Sequence, residues 1–150
     1  MSAELFDYID EKGTNIITSW LKQLPKQQLA KVNSKIKSLS QNGDQILPGF
    51  VTDAVGSRHI KEIVIGGNIA LRLLLCRGPI NTQYENAKSG NGSKTAIGTA
   101  PEFTFLLGAE ERDGRYVPAN AVQLAEAFRE RVINNSDDRR TDHVHVRVGP

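Results

Sequence analysis

The spacing of apolar residues changes along this chain, and each change marks an element. Glu4 to Ile9 reads as a short opening strand, punctuated by Gly13 and Thr14. Ile17, Trp20, Leu21 and Leu24 then recur at helical spacing and predict an amphipathic helix. Pro25 ends it and suits the first turn of a second helix. Leu29, Val32, Ile36 and Leu39 form that helix's apolar stripe, which stops at Asn42-Gly43. The pattern predicts two antiparallel helices with a tight joint. Gly43 to Gly56 reads as a loop with Leu47, Phe50 and Val55 facing inward.

Two β-rich arms follow, Arg58 to Ile65 and Ile69 to Arg77, joined by Gly66-Gly67-Asn68. A Gly-Gly-Asn turn between such arms predicts a β-hairpin. Gly78 to Ala100 is polar and reads as a flexible insertion between two strands. Glu102 to Leu107 reads as a strand and Gly108 to Val117 as a charged loop. Pro118 then opens a helix with Val122, Ala125, Phe128 and Val132 on one face. This divides the chain into a folded domain over 1–133 with its insertion at 78–100, and a polar tail over 134–150. Residues Asp142 to Val148 alternate like an added edge strand.

The chain has 150 residues, enough for one domain with a real core. Its 39% hydrophobic and 24% charged content is ordinary for a soluble globular protein. A net charge of +2 permits a nucleic-acid partner without demanding one. The single cysteine, Cys76, leaves no disulfide framework and suits a reducing cytoplasm. The first residues lack the basic and apolar regions of a signal peptide, and no apolar run approaches a membrane span. Lys22, Lys26, Lys31, Lys35 and Lys37 give the helices a basic face, which reads as a solvated surface or an RNA contact. His143 and His145 would share a strand face, as metal ligands can, but no further ligand is in view, so no metal or other cofactor is assigned. No glycine-rich phosphate loop, nucleophile elbow or paired-cysteine zinc pattern occurs.

The outlier is Arg72, placed mid-strand among Leu71, Leu73, Leu74 and Leu75. A charge there must be paired or face water. An arginine on a rigid strand also suits phosphate binding. Two readings stand: a phosphate clamp, or a buried arginine paired with a carboxylate such as Glu62.

Several local patterns carry a resemblance. Tyr8 to Gly13, then Ser19-Trp20-Leu21 and Leu24-Pro25, form one. Lys61-Glu62-Ile63, Gly66-Gly67 and Leu71-Arg72-Leu73 form another. Phe105-Leu106-Leu107-Gly108, a charged loop and Ala121 to Ala125 form the third. In this order the chain resembles the RelE/ParE/HigB superfamily of bacterial toxins, and within it the addiction module killer proteins. The resemblance implies an α+β, RelE-like fold: an N-terminal helical hairpin packed on a twisted antiparallel sheet of about four strands, with a C-terminal helix. It also implies a toxin of a toxin–antitoxin pair, with an antitoxin protein, the ribosome and messenger RNA as partners.

RNA-cleaving members of that superfamily cut messenger RNA on the ribosome without a metal. Such chemistry needs a base on the ribose 2′-hydroxyl, an acid on the leaving oxygen, and cations on the phosphate. Carried onto this sequence, Arg72 matches the strand arginine and Arg112 a second cation in the charged loop. Tyr116, His59 and Glu62 are candidates to assist. Arg58, Lys61, Arg115 and Arg77 are candidates for RNA contacts. Strand alternation puts Glu62 with Arg58 and Ile60 on one face, and Lys61 with His59 and Ile63 on the other; only one set can line a cleft. The sequence departs from the pattern at Val64, at Leu71, and at Glu110-Glu111, where the family has arginine, an aromatic and lysine. Other members of the superfamily poison DNA gyrase and lack the nuclease residues. A non-enzymatic binding protein, either a gyrase poison or a degenerate member without nuclease activity, is therefore the second expectation.

Overall fold

A computed structural model of the chain describes residues 3–43, 51–54, 56–67, 69–79 and 102–148. The inward packing of Leu47, Phe50 and Val55 lies outside these residues, as does the insertion beyond Pro79. The elements in order are β1 (Glu4–Tyr8), α1 (Ile16–Gln23), α2 (Lys26–Asn42), β2 (Val51–Asp53), β3 (Ile60–Ile65), β4 (Ala70–Arg77), β5 (Glu102–Arg112), β6 (Arg115–Val117), α3 (Ala121–Asn135), a short 3-10 turn (Ser136–Arg139) and β7 (Arg140–Asp142).

The sheet corrects the expected architecture. It has seven strands in the order β2-β3-β4-β5-β1-β7, with β6 paired to β5. It is mixed, because β1 runs parallel to β5 while the other pairs are antiparallel. The expected four-stranded antiparallel sheet, with a helical hairpin at the N-terminus, is not what forms. A strand comes first and is threaded into the sheet between β5 and β7. Three segments read as loop or tail by their polarity are recruited as short strands. Val51–Asp53 pairs with Lys61–Ile63, Arg115–Val117 folds back on Glu110–Arg112, and Arg140–Asp142 pairs with Phe6–Tyr8.

The charged loop expected over Gly108 to Val117 is instead a β-hairpin. β5 runs on to Arg112 and turns at Asp113-Gly114, whose φ angles are 53° and 76°. Positive φ at both turn residues is the geometry of the tight turn that Asp-Gly favours. Polarity alone suggested a loop, but charged side chains remain strand-compatible when cross-strand partners neutralise them.

Apolar residues form two cores on opposite faces of the sheet. Ile17 and Leu21 of α1, with Leu29, Val32, Ile36 and Leu39 of α2, cover Ile63, Ile65, Leu71, Leu73, Leu75 and Phe105. Ala121, Val122, Ala125 and Val132 of α3 cover Ile60, Leu74, Cys76 and Leu106, with Tyr8 among them. Coverage on both faces explains the unbroken apolar run Leu73-Leu74-Leu75-Cys76, since a strand buried on two sides has no reason to alternate. Asn15 caps α1, its Oδ1 accepting from the Thr18 amide at 2.9 Å. Trp20 lies flat on β5: a Cβ added to Gly108 would sit 2.0 Å from the indole Cδ2. Only glycine lets the ring approach the strand this closely.

Candidate functional site

Four neighbouring strands place one side chain each on the α3 face of the sheet. Val64 pairs with Arg72, Arg72 with Ala109, and Glu111 with Tyr116. Alternation then turns Glu62 of β3, Arg72 of β4, Glu111 of β5 and Tyr116 of β6 the same way. This settles which set on β3 joins the arginine: it is Glu62.

The four side chains are joined in a chain of hydrogen bonds, Tyr116 to Glu62 to Arg72 to Glu111. Arg72 Nη1 donates to Glu62 Oε1 at 2.5 Å, and Nη2 donates to both oxygens of Glu111 at 2.6 and 2.7 Å. The Tyr116 hydroxyl donates to the other Glu62 oxygen at 2.6 Å. The Glu62 side chain is 5% exposed, against 20% for Arg72 and 26% for Glu111. Glu62 is thus a buried carboxylate, and both of its oxygens are occupied by donors. The hydrogen bond to Glu111 and the charges of Glu62 and Glu111 outweigh burial and hold the Arg72 guanidinium still more firmly in its charged form. The Nε of Arg72 is buried without a partner. Beside these side chains is a cavity of about 90 Å³, bordered by Arg72, Glu111, Gly114, Arg115 and Tyr116. A water occupies about 30 Å³, so this space suits a few waters, far below the roughly 300 Å³ of a small-ligand pocket.

Arg72, Glu62 and Tyr116, expected to act together, are together. Arg115 is exposed at the rim of the same cavity. Arg112 is elsewhere: it shares a face with Glu110 and Gly108, the α1 side of the sheet, and its Nη2 lies 3.1 Å from Glu110 Oε1. The acidic pair is therefore divided between the two faces, Glu110 beside Arg112 and Glu111 on Arg72. Lys61 also turns away from Glu62 and pairs with Asp53 at 3.0 Å. Arg58 and His59 are exposed ahead of β3, with His59 beside Glu126, Arg129 and Glu130 of α3. Arg77 stands at the far end of β4, its guanidinium 5.7 Å from the centre of the Phe103 ring.

A second constellation has no counterpart among the expected residues. Asp7 on β1 is fully buried. Its Oδ1 lies 2.8 Å from His143 Nδ1, and its Oδ2 accepts from Asn15 Nδ2 at 3.0 Å. An aspartate between Phe6 and Tyr8 on an apolar strand was the available signal, because a buried carboxylate requires partners. Its partners lie 8 and 136 residues away in sequence, so their identity was not legible. The edge strand expected over Asp142 to Val148 ends at Asp142; His143 and His145 follow it outside any strand and border one cavity, with Nδ1 of His143 taken by Asp7. Among the described residues no three metal-binding side chains converge. Nor is any described helix long and apolar enough to cross a membrane.

Comparison with protein-family models, with curated proteins and with solved structures gives no match.

Proposed function

We propose that this chain acts by binding and not by cutting RNA, as the non-enzymatic toxin-type partner of an antitoxin protein in the cytoplasm. The pairing of Arg72 with two carboxylates carries this reading. Both terminal nitrogens of the guanidinium are held by carboxylates, one of them deeply buried. A clamp for a scissile phosphate must present free donors and a positive field. Here an incoming phosphate would have to displace Glu111 and approach two carboxylates, whose repulsion opposes it. Tyr116, the candidate acid, spends its proton on Glu62. Arg112, the candidate second cation, is on the other face of the sheet.

The surface that supports a binding role is the outer face of α1 and α2. Lys22, Lys26, Lys31 and Lys37 are exposed there, and neither helix carries an acidic residue. A one-signed surface attracts an acidic partner and speeds its docking. We assign it to an acidic segment of the antitoxin.

The test is induced expression in bacteria of the wild type and of Arg72→Ala, with messenger RNA 5′ ends mapped and folding checked by circular dichroism. We expect no new 5′ ends from folded wild-type protein. New ends that vanish in a folded Arg72→Ala variant would overturn this reading and restore a ribosome-dependent endoribonuclease.

A further inference from the structure

A second cavity shares no residue with the Arg72 site, while Lys37 at its rim also belongs to the basic face of α2. This cavity, of about 610 Å³, opens between α2 and the C-terminal segment after β7. Its size is within the range of small-molecule sites. Leu5 and Ile36 give it an apolar wall, and Asn33, Lys37, His143 and His145 border it with polar groups.

Two of those polar groups are buried, and one of them is incompletely bonded. Asn33 is 9% exposed, and its Nδ2 donates to the Val146 carbonyl at 2.8 Å. A carbonyl only accepts, so the amide cannot be turned the other way. Its Oδ1 is left buried with no partner, an arrangement that normally costs free energy. The His143 side chain is 6% exposed, with Nδ1 on the Asp7 carboxylate. The Asp7 carboxylate holds the ring in place through Nδ1. Around Asn33 Oδ1 stand Lys37 and His145. No carboxylate side chain borders the cavity among the described residues.

We propose that this cavity binds a small organic acid: an apolar body bearing one N–H or O–H donor and one anionic group. The donor would satisfy Asn33 Oδ1. Lys37, with His145, would hold the anion, and Leu5 and Ile36 would cover the body. The Asn15–Asp7–His143 bonds fix the imidazole in place before the ligand arrives, so little ordering remains to be done on binding.

The probe is 8-anilinonaphthalene-1-sulfonate, which joins an anilino N–H, an aromatic body and a sulfonate. Its fluorescence is titrated with folded wild type and with Lys37→Glu, an exposed position whose change leaves the core intact. Contacts are located by amide chemical shifts. We expect saturable one-site binding that shifts amides of α2 and of residues 143–146. Lys37→Glu should weaken it by about tenfold, the loss of one charge-assisted contact. N-phenyl-1-naphthylamine, the uncharged analogue, should bind the wild type less tightly. No saturable binding below about 1 mM overturns the proposal, being weaker than a single good anchor would give. It is equally overturned by equal affinity in Lys37→Glu, by equal affinity for the uncharged analogue, or by shifts confined to other elements.

Discussion

Arg72 and Glu62 sit diagonally on adjacent strands, Arg72 opposite Val64 and Glu62 opposite Leu74, and meet at 2.5 Å. The carboxylate is the more buried partner, at 5% exposure against 20%. That asymmetry makes the arginine a counter-ion for the core before it is anything else. Its second arm, on Glu111, is nearer to solvent.

The two arms should therefore differ in cost. Arg72→Ala strands a buried carboxylate with only the Tyr116 hydroxyl for company, and should destabilise the fold by about 3–5 kcal/mol. Glu111→Gln removes a partly exposed, solvent-screened partner and should cost about 1 kcal/mol or less. Replacing Arg72 and Glu62 together by leucine should recover most of the larger loss, because no charge is then left buried. Urea unfolding of the variants measures all three. Equal costs for Arg72→Ala and Glu111→Gln would show that Glu62 is not the anchor.

Tyr116→Phe keeps the ring and deletes its one hydrogen bond to Glu62. A bond to a charged acceptor is worth about 1.5–3 kcal/mol, so the loss should fall in that range. Coupling is the sharper measure. In a double-mutant cycle with Glu62→Gln, the two changes should be non-additive by about 1 kcal/mol or more, since they share one contact. Additive costs would mean that the hydroxyl is bonded elsewhere in solution.

The alkaline limb of stability should also report this site. Arg72 has its pKa raised in the folded state, first by the hydrogen bond to Glu111. A cation so raised contributes fully below its unfolded pKa and loses that contribution only as pH climbs through the folded value. For arginine both lie far above the ordinary pH range, so Arg72 gives no pH dependence there. Lysine in its place cannot reach both carboxylates and titrates from about 10.4 upward. Arg72→Lys should therefore be less stable at pH 7, and the gap to wild type should widen as pH rises past 10, read by urea midpoints. A gap that stays constant would show that the lysine is not paired.

Much of this arrangement was legible in the chain. Arg72 stood out because a charge inside Leu71–Leu75 demands a partner, and Glu62 was the nearest candidate at hairpin distance. The β3–β4 hairpin followed from Gly66-Gly67-Asn68, and the helices from their apolar stripes. What stayed hidden depended on pairing across the sheet. Glu110, Glu111 and Arg112 look like a solvated loop until alternation sends them to opposite faces, and Asp113-Gly114 was the turn signal that would have revealed β6. The insertion of β1 between β5 and β7 has no local signature, because parallel pairing joins residues about a hundred positions apart. That placement makes the sheet mixed, and the recruited strands β2, β6 and β7 make it larger than the antiparallel one expected.

Gly108 makes the final prediction, and it concerns how α1 is held. Its missing side chain is the floor on which Trp20 rests; a Cβ there would lie 2.0 to 2.4 Å from three atoms of the indole. Those are ring atoms of a bulky side chain against a central strand, so neither partner yields cheaply. Gly108→Ala should cost about 1–3 kcal/mol through overpacking, and more if α1 shifts as a body. Trp20 is the only tryptophan, so its emission reports the event directly. Displaced toward water, it should move to longer wavelength in the folded variant. Trp20→Leu, which shortens the opposing side chain, should suppress the defect: Gly108→Ala should cost clearly less in that background than in wild type. An undiminished cost with unchanged tryptophan emission would place the strain in the backbone of β5 and not in the packing of α1 upon it.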